Sequence, residues 1–296
     1  MAVVRLGDHG IAVSDVQQHL VALGFPLSVD GNFGPGTDDA VRGFQLVTAL
    51  RVDGVVGPLT RAAIASGTWA TIDSETTYTA LGRIQRTDTY ETQLTEVRVT
   101  GDVRWPVLVG QAFESPHVNA ALKALAEGVV DATTADPPAV PAGFGPSSVG
   151  GELEPTLLAA SLCSAHGDFA VYQSGAASAH PQPKSVVADL ALDRLLAPSE
   201  LFMPASTWLD RLHVLALVHF PNATAAGVAA TERNFRHLSI SPTGLTVAFK
   251  SFQIGPGAMG APTFAATWAE LSSVIRPSIV ARSVGGSPGG PGPHST

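Results

Sequence analysis

The chain is poor in several features on which whole classes of protein depend. Its 296 residues include one cysteine, Cys163, so no disulfide can form within the chain. The most apolar run, residues 212–220, contains two histidines and is far shorter than the ~20 residues of a membrane-spanning helix. Lysine and arginine total 17 against 25 acidic residues, a formal net charge of −8. This balance argues against nucleic acids and anionic membranes as partners, since both attract basic surfaces.

A standard signal peptide is also missing, because the first residues lack a basic start followed by an apolar run. Small and apolar residues are plentiful, with 45% hydrophobic residues, 30 glycines and 22 prolines. This composition suffices for a folded core, and the length fits one large domain or two smaller ones. The abundance of alanine, glycine and proline with few lysines suggests a high-GC actinobacterial source.

A short sequence occurs twice near the N-terminus. Residues 30–37 read Asp-Gly-Asn-Phe-Gly-Pro-Gly-Thr and residues 53–60 read Asp-Gly-Val-Val-Gly-Pro-Leu-Thr, at a constant offset of 23. Asp-Gly favours a tight turn, because aspartate bonds the backbone ahead of it and glycine accepts a positive φ. Gly-Pro directs the chain into a helix, with Thr37 and Thr60 as predicted N-caps. Each copy therefore predicts a loop that leads into a helix.

Apolar residues at helical spacing complete this first unit, which we place at residues 1–67. The first helix has apolar residues at positions 13, 16, 20 and 23, with Ser14 as its predicted N-cap and Gly24 as its end. The second and third helices follow the two loops. The sequence thus predicts a compact three-helix unit whose loops lie close together.

Further motifs of this unit extend beyond the repeat. They are Leu-Gly-Asp at 6–8, Val-Gln at 16–17, Leu-Gly-Phe at 23–25 and Phe-Gln at 44–45. Together with the repeat they resemble the peptidoglycan-binding domain of bacterial cell-wall hydrolases, a non-catalytic module. Turn and cap formation alone would explain any single residue of the set equally well. The residues that the resemblance implicates in peptidoglycan binding are Asp30, Gly31, Phe33, Gly34, Thr37, Gln45, Asp53, Gly54, Gly57 and Thr60.

The remaining sequence predicts a linker, a second domain and a tail. The linker is placed at 68–78, the second domain at 79–281 and a disordered tail at 282–296. Residues 131–155, rich in proline and glycine, predict a long loop. Helices are predicted at 118–130, 208–218 and 268–275. Strands are predicted at 93–99, 103–109, 157–162 and 168–173, with a hairpin at 241–244 between strands 238–240 and 245–252.

The grouping of strands with a few helices defines the predicted fold class. We expect two domains: a small all-α three-helix module, followed by an α+β domain with a mainly antiparallel sheet.

A second resemblance covers most of residues 95–277. Its motifs are Arg104-Trp105-Pro106, Gly-Ala-Ala-Ser-Ala-His-Pro at 175–181, Leu201-Phe202 and the segments 234–245 and 249–256. They are similar to the RsiV-like family, which includes the sensor domains of lysozyme-responsive anti-sigma factors and secreted mycobacterial antigens. The resemblance implies an extracytoplasmic α+β domain that is not a catalyst. An extra residue pair before His180 and the lack of an anchor depart from the family, so an anti-sigma role is not expected.

Two patterns partly resemble catalytic motifs. Cys163 lies near His166, but Leu162 replaces the aspartate that begins the Asp-Cys-Ser-Gly motif of wall cysteine peptidases, and a lone apolar-flanked cysteine is typical of a core. Ser178 and His180 begin a zinc carboxypeptidase motif, Ser-x-His-x-x-Gly-x-Ala-x-Asp. Positions 183, 185 and 187 are proline, serine and valine instead, so a zinc ligand would be missing. We predict no catalytic residue, metal or cofactor.

The sequence therefore predicts a non-catalytic wall protein with peptidoglycan as one partner and a glycan or a protein such as a muramidase as the other. The expected location is the cell wall or the extracellular space, with the cytoplasm as the other option. Export would use a route other than a standard signal peptide, or the start codon is misplaced. Two alternatives remain open. One is a peptidoglycan hydrolase, a peptidase or amidase, targeted by the module. The other is a phage-derived or intracellular structural protein.

Overall fold

The computed structural model describes residues 3–48, 50–66, 77–91, 96–109, 115–134, 145–159 and 161–284. Most of the predicted linker and tail lie outside these residues. The first unit contains three helices: α1 (Ile11–Ala22), α2 (Pro35–Val47) and α3 (Pro58–Ser66). They enclose one core, whose large fully buried members include Leu20, Phe25, Phe33 and Phe44.

The helix starts differ from the predicted ones. α1 begins after Gly10, with a φ of 109°, so Ser14 lies inside the helix. Pro35 and Pro58 begin α2 and α3, because the fixed φ of proline suits a first helical turn and its missing N–H costs nothing there. Thr37 and Thr60 therefore lie in the first turns of these helices and do not cap them.

The second unit is an α+β domain. Its longer strands are β1 (Thr77–Glu91), β2 (Glu96–Val109), β5 (Leu162–Tyr172) and β6 (His180–Asp189). Its shorter strands are β3 (Ser147–Glu152), β4 (Glu154–Leu158), β7 (Arg194–Leu195), β8 (His237–Ser241), β9 (Gly244–Ala248) and β10 (Thr263–Thr267). Its helices are α4 (Pro116–Thr134), α5 (Trp208–His219), α6 (Trp268–Leu271) and α7 (Pro277–Val284).

In the described part of the chain these strands form two sheets. The larger has the order β1-β2-β3-β5-β6-β7, with β4 also paired to β5, and the smaller has the order β10-β9-β8. Only the β2–β3 pair among them is parallel. The predicted fold class is confirmed: a helical module precedes an α+β domain with a mainly antiparallel sheet.

Helix α4 packs on one face of the large sheet around Leu122, Ala126 and Phe169. The other face carries the small sheet and α5, with Leu157, Leu162 and Ile240 in their shared core. The strand alternation of β5 sends Cys163 and Ala165 into the first of these cores. The domain therefore has three layers, and the small sheet stands on the side away from α4.

Several element predictions need correction. β1 begins inside the predicted linker, and β2 unites the two strands predicted at 93–99 and 103–109. β3 and the first residues of β4 lie in the predicted loop 131–155, because pairing with β2 and β5 overrides their weak strand propensity. The predicted helix 268–275 is helical only to Leu271. The hairpin at 241–244 and helix 208–218 are confirmed, the latter extending to His219.

Helix α7 connects the two units and extends past the predicted boundary at 281. On the module side, Asp39 of α2 accepts hydrogen bonds from Arg276 Nη1 at 2.7 Å and Ser278 Oγ at 2.6 Å. On the sheet side, buried Arg282 forms a 2.9 Å ion pair with Asp189 and donates to Ser161. Ser283 is fully buried. The tail prediction was therefore wrong at its start, because polar side chains with specific partners give residues 282–284 a folded position.

Candidate functional site

The first Asp-Gly loop is built around the buried amide of Gln17. Its Nε2 donates to Asp30 Oδ1 at 2.8 Å, to the Asn32 carbonyl at 3.0 Å and to Thr37 Oγ1 at 3.1 Å. Its Oε1 accepts a hydrogen bond from the Gly31 N–H at 2.9 Å. Gly31 has a φ of 72°, which glycine adopts without the Cβ penalty. One side chain of α1 thus fixes both the turn and the start of α2.

The second loop repeats this arrangement with Gln45 of α2. Gln45 Nε2 donates to Asp53 Oδ1 at 2.9 Å, to the Val55 carbonyl at 3.0 Å and to Thr60 Oγ1 at 3.2 Å. Its Oε1 accepts from the Gly54 N–H at 2.9 Å, and Gly54 also has a φ of 72°. Gln17, which the predicted site omitted, is therefore the counterpart of Gln45. A glutamine one helix ahead of each Asp-Gly copy could have revealed it.

Both loops hydrogen-bond to the same N-terminal segment of backbone. Phe33 donates its N–H to the Asp8 carbonyl at 2.8 Å, and Val56 donates its N–H to the Val4 carbonyl at 2.9 Å. The predicted closeness of the loops follows from these bonds, because residues 4–10 form a short edge shared by both.

Burial divides the predicted peptidoglycan-binding residues into two groups. Asp30 is exposed, and Gly34, Asp53 and Gly57 are half-buried. The other six shape the loops from inside and are buried: Gly31, Phe33, Thr37, Gln45, Gly54 and Thr60. The exposed surface of the loops is therefore formed by the first group and by exposed neighbours such as Asn32 and Leu59. Peptidoglycan binding by particular residues stays a prediction.

The loop carboxylates are held in their charged form. The Asn32 N–H, followed by the Gln17 amide, lowers the pKa of Asp30 below its ordinary value. The Val55 N–H and the Gln45 amide likewise lower the pKa of Asp53. Hydrogen bonds to a carboxylate favour the ionised state, so both loops carry a negative charge near neutral pH.

The candidate nucleophile Cys163 is buried in the core beneath α4. Burial raises the pKa of its thiol to about 12, so the reactive thiolate is disfavoured. His166 lies three residues along β5, and strand alternation sends the two side chains to opposite faces. The structure therefore does not bring this pair together.

His166 instead contacts Ser185, a residue that the predictions omitted. Its Nδ1 is 2.9 Å from Ser185 Oγ, and its Nε2 is 3.9 Å from Asp168 Oδ1. Burial lowers the pKa of His166 and raises that of Asp168. The carboxylate is beyond hydrogen-bond distance and does not orient the ring, as a catalytic triad would require.

His180, the candidate zinc ligand, begins β6 and packs edge-on against Phe252, with ring centroids 5.1 Å apart. In the described residues no group of three or more histidine, cysteine, aspartate or glutamate side chains could hold a metal ion. Among the same residues, no helix combines the length and the apolar character of a membrane span.

The sequence predictions also missed a pocket in the second domain whose basic lining residues are Arg233, Arg236 and Lys250. A signal was available. Arg236 and Lys250 flank the predicted hairpin, and a hairpin brings its two ends together. In a chain with few lysines, this placement could have indicated a concentration of positive charge.

Comparison with known proteins identifies the N-terminal module. Residues 9–64 match the family described as a putative peptidoglycan binding domain. The chain is 58% identical over 36 residues to an uncharacterized protein in the bpoA1 3′ region of Kitasatospora aureofaciens, a stretch that covers 12% of this chain and 30% of that protein. The chain thus spans less than a third of that curated relative.

Three solved structures are similar to parts of this chain. An endolysin of Burkholderia AP3 phage is 40% identical, covering 23% of this chain and 26% of its own, with a TM-score of 0.22. A fused Zn-dependent amidase/peptidase/peptidoglycan-binding protein from Clostridium acetobutylicum is 38% identical, covering 21% and 28%, with a TM-score of 0.21. A DUF3298 family protein from Pseudomonas aeruginosa PAO1 is 11% identical, covering 68% and 95%, with a TM-score of 0.45. The family match over residues 9–64 identifies the N-terminal module as a peptidoglycan-binding domain, and the sheet-rich α+β domain described above follows it.

Proposed function

We propose that this protein is a non-catalytic, cell-wall-associated protein that docks on peptidoglycan through its N-terminal module and presents the α+β domain to a second ligand. The observation that carries the first half is the family match over residues 9–64, together with two loops built alike around Gln17 and Gln45. The resemblance of the second domain to the RsiV-like family favours a glycan or a muramidase-like protein as the second ligand.

The exposed rim of the two loops is the proposed docking surface. Asp30 and Asn32 are exposed on the first loop, and the Leu59 side chain is 76% exposed at the second. Polar groups on one loop and an apolar side chain on the other suit a polymer of sugars and short peptides, which offers hydrogen bonds and small apolar faces together. The internal glutamine amides hold this rim in one shape, so little ordering is needed on binding.

Co-sedimentation of the full chain with purified murein sacculi tests the docking. We expect the protein to pellet with sacculi and the Leu59→Asp variant to pellet at least several-fold less. Val218→Asp is the matched control, because Val218 is 71% exposed on α5 and far from the loops in sequence. Docking is wrong if the unchanged protein stays in the supernatant, or if both variants lose binding equally.

The non-catalytic half is supported by the burial of Cys163 and its separation from His166 across the sheet. Turbidity of a sacculus suspension provides the test. We expect no decrease on incubation with the protein. A decrease that Cys163→Ala or a chelator abolishes would overturn this half and favour the hydrolase alternative.

A further inference from the structure

A pocket of about 690 Å³ opens on the α+β domain between residues 224–236 and residues 250–253. All the charged side chains that line it are basic: Arg233, Arg236 and Lys250. A fourth cation, Lys184 of β6, lies close enough for its charge to act on Lys250. A protein with a formal charge of −8 thus collects four positive charges around one cavity.

Within the described ranges, none of the four side chains forms an ion pair with a carboxylate. Burial, followed by the charge of Arg236, lowers the pKa of both Lys184 and Lys250. Like charges brought together in this way repel one another and destabilise the folded protein. A bound anion would remove that repulsion.

Side-chain amides hydrogen-bond to the backbone of the cavity walls. Gln253 Nε2 donates to the carbonyls of Gly227 and Asn234 at 3.0 and 3.2 Å, and its Oε1 accepts from the Lys250 N–H at 3.1 Å. Asn234 Nδ2 donates to the carbonyls of Ala226 and Ala229 at 2.8 and 3.0 Å. The Gln253 amide therefore joins the two loops, and the Asn234 amide ties the first loop to itself, so the cations are presented on a hydrogen-bonded frame.

An aromatic ring stands among the residues that line the cavity. Phe252 is 61% exposed and has a φ of 64°, a backbone conformation that is unfavourable for a residue with a Cβ. Gly257 lies so close to the ring that any side chain there would collide with it, and His180 packs against the ring edge-on. The fold thus exposes a large apolar side chain to solvent at an unfavourable backbone position. Contact with water does not account for this arrangement, whereas contact with a ligand would.

We propose that this pocket binds an anionic saccharide, whose carboxylate or phosphate oxygens contact Arg236, Lys250 and Arg233 while a sugar face packs on Phe252. Arg236 is well suited to this role, because in the described structure its guanidinium donates only through Nε, to His237 at 3.2 Å. The remaining donors form a planar fork that matches oxyanion geometry. The inference names the chemical class of the second ligand in the proposed function and rests on that half alone.

Calorimetric titration of the full chain with three soluble probes tests the inference. Oligogalacturonate supplies carboxylates, oligomeric glycerol phosphate supplies phosphates, and dextran oligosaccharide supplies neither. We expect one or both anionic probes to bind, more weakly as salt rises because the contacts are ionic, and dextran not to bind. The preferred anionic probe identifies the source of the oxyanion. Equal binding of dextran, or no binding of either anionic probe at millimolar concentration, would overturn the proposal.

Substitutions locate the site. Lys250→Gln and Arg236→Gln should each weaken anion binding about tenfold, as expected for loss of a charge-assisted hydrogen bond. Lys123→Gln is the matched control, because Lys123 is exposed on α4 and pairs with Glu127. Phe252→Asn tests the ring, since asparagine tolerates the positive φ, and thermal melting confirms that each variant is folded. Unchanged affinity in the Lys250→Gln/Arg236→Gln double variant contradicts the assignment.

Failure of this inference is distinguishable from failure of docking. The probes are soluble and lack cross-linked murein, whereas the sacculus experiment depends on the loop rim. Anion binding without sedimentation would support the proposed pocket and contradict the proposed docking on peptidoglycan. Sedimentation without anion binding would do the reverse.

Discussion

The Ser278 hydroxyl donates a 2.6 Å hydrogen bond to the Asp39 carboxylate, across a separation of 239 residues in sequence. The Ser278 N–H donates to the same oxygen at 3.1 Å, and Arg276 forms an ion pair with the other at 2.7 Å. Asp39 is 8% exposed. Gly43 lies one turn further along α2 and packs directly against Ser278, where any side chain would collide. The peptidoglycan-binding module is therefore attached to the α+β domain by specific polar contacts.

Replacing Asp39 should separate the two units. Asp39→Ala removes three hydrogen bonds to one buried carboxylate and leaves Arg276 without its partner, so we expect a loss of about 2–3 kcal/mol in the free energy of unfolding. Scanning calorimetry should resolve two transitions where the unchanged protein has one. Asp38→Ala is the control, since its carboxylate pairs with Arg42 at the surface and is worth under about 1 kcal/mol. Equal effects of the two substitutions would contradict the role of Asp39.

The two loop glutamines should contribute equally to stability. Gln17→Ala and Gln45→Ala each remove a buried amide and leave a glycine N–H without its acceptor, a change that costs about 1–3 kcal/mol. Urea unfolding measures the difference. Gln18 is exposed on the same helix, so Gln18→Ala should change stability by no more than about 0.5 kcal/mol. A small effect at only one of the buried positions would show that the loops are not equivalent.

His237 should make the α+β domain sensitive to acid. Burial, followed by the charges of Arg236, Lys250, Lys184 and His166, lowers its pKa to about 3. An unfolded histidine binds its proton near pH 6.5, so between pH 6.5 and 3 the unfolded state holds more protons. Stability must then fall as pH falls through this window, by up to about 1.4 kcal/mol per pH unit.

Unfolding free energies at pH 7, 6, 5 and 4 test this dependence. His237→Gln should flatten the curve relative to the unchanged protein, whereas replacement of exposed His9 by glutamine should leave its slope in place. A slope that His237→Gln does not reduce would assign the acid sensitivity to other groups.

The Cys163 thiol should be unreactive in the folded protein. Its thiol is 1% exposed and has a pKa of about 12, so the native protein should not react with a thiol-specific reagent at pH 8. Addition of denaturant should release one equivalent, because the chain has a single cysteine. Rapid labelling without denaturant would restore Cys163 as a candidate nucleophile.

The first unit was predictable because its signals are local. Asp-Gly turns, proline at helix starts and apolar residues at helical spacing act within one or two turns of chain. The hydrogen-bond partners of the Thr37 and Thr60 hydroxyls were not predicted. Threonine before a helical run predicts an N-cap, yet both hydroxyls bond glutamines from the preceding helix, a partner that sequence spacing alone does not reveal.

The second domain was less predictable because its strands depend on distant partners. β3 and β4 contain glycine and proline and resemble a loop when considered alone, but β2 and β5 supply the pairing that makes them strands. Gly167 allows β5 to pass so close to Glu152 that a side chain would collide with its carbonyl. The full charge of the basic pocket was hidden for a similar reason: the hairpin brings Arg236 and Lys250 together, but Lys184 comes from the distant strand β6.

The double attachment of α7 has a consequence for the order in which the protein matures. Every other described element is synthesised before Pro277–Val284, yet this helix supplies both the contacts to Asp39 and the buried ion pair with Asp189. The module has a core of its own, whereas its contacts with α7 can form only after that helix has been synthesised. A nascent chain paused before residue 277 would therefore carry a folded module on an incompletely closed second domain, and truncation there would release the module as an independent body.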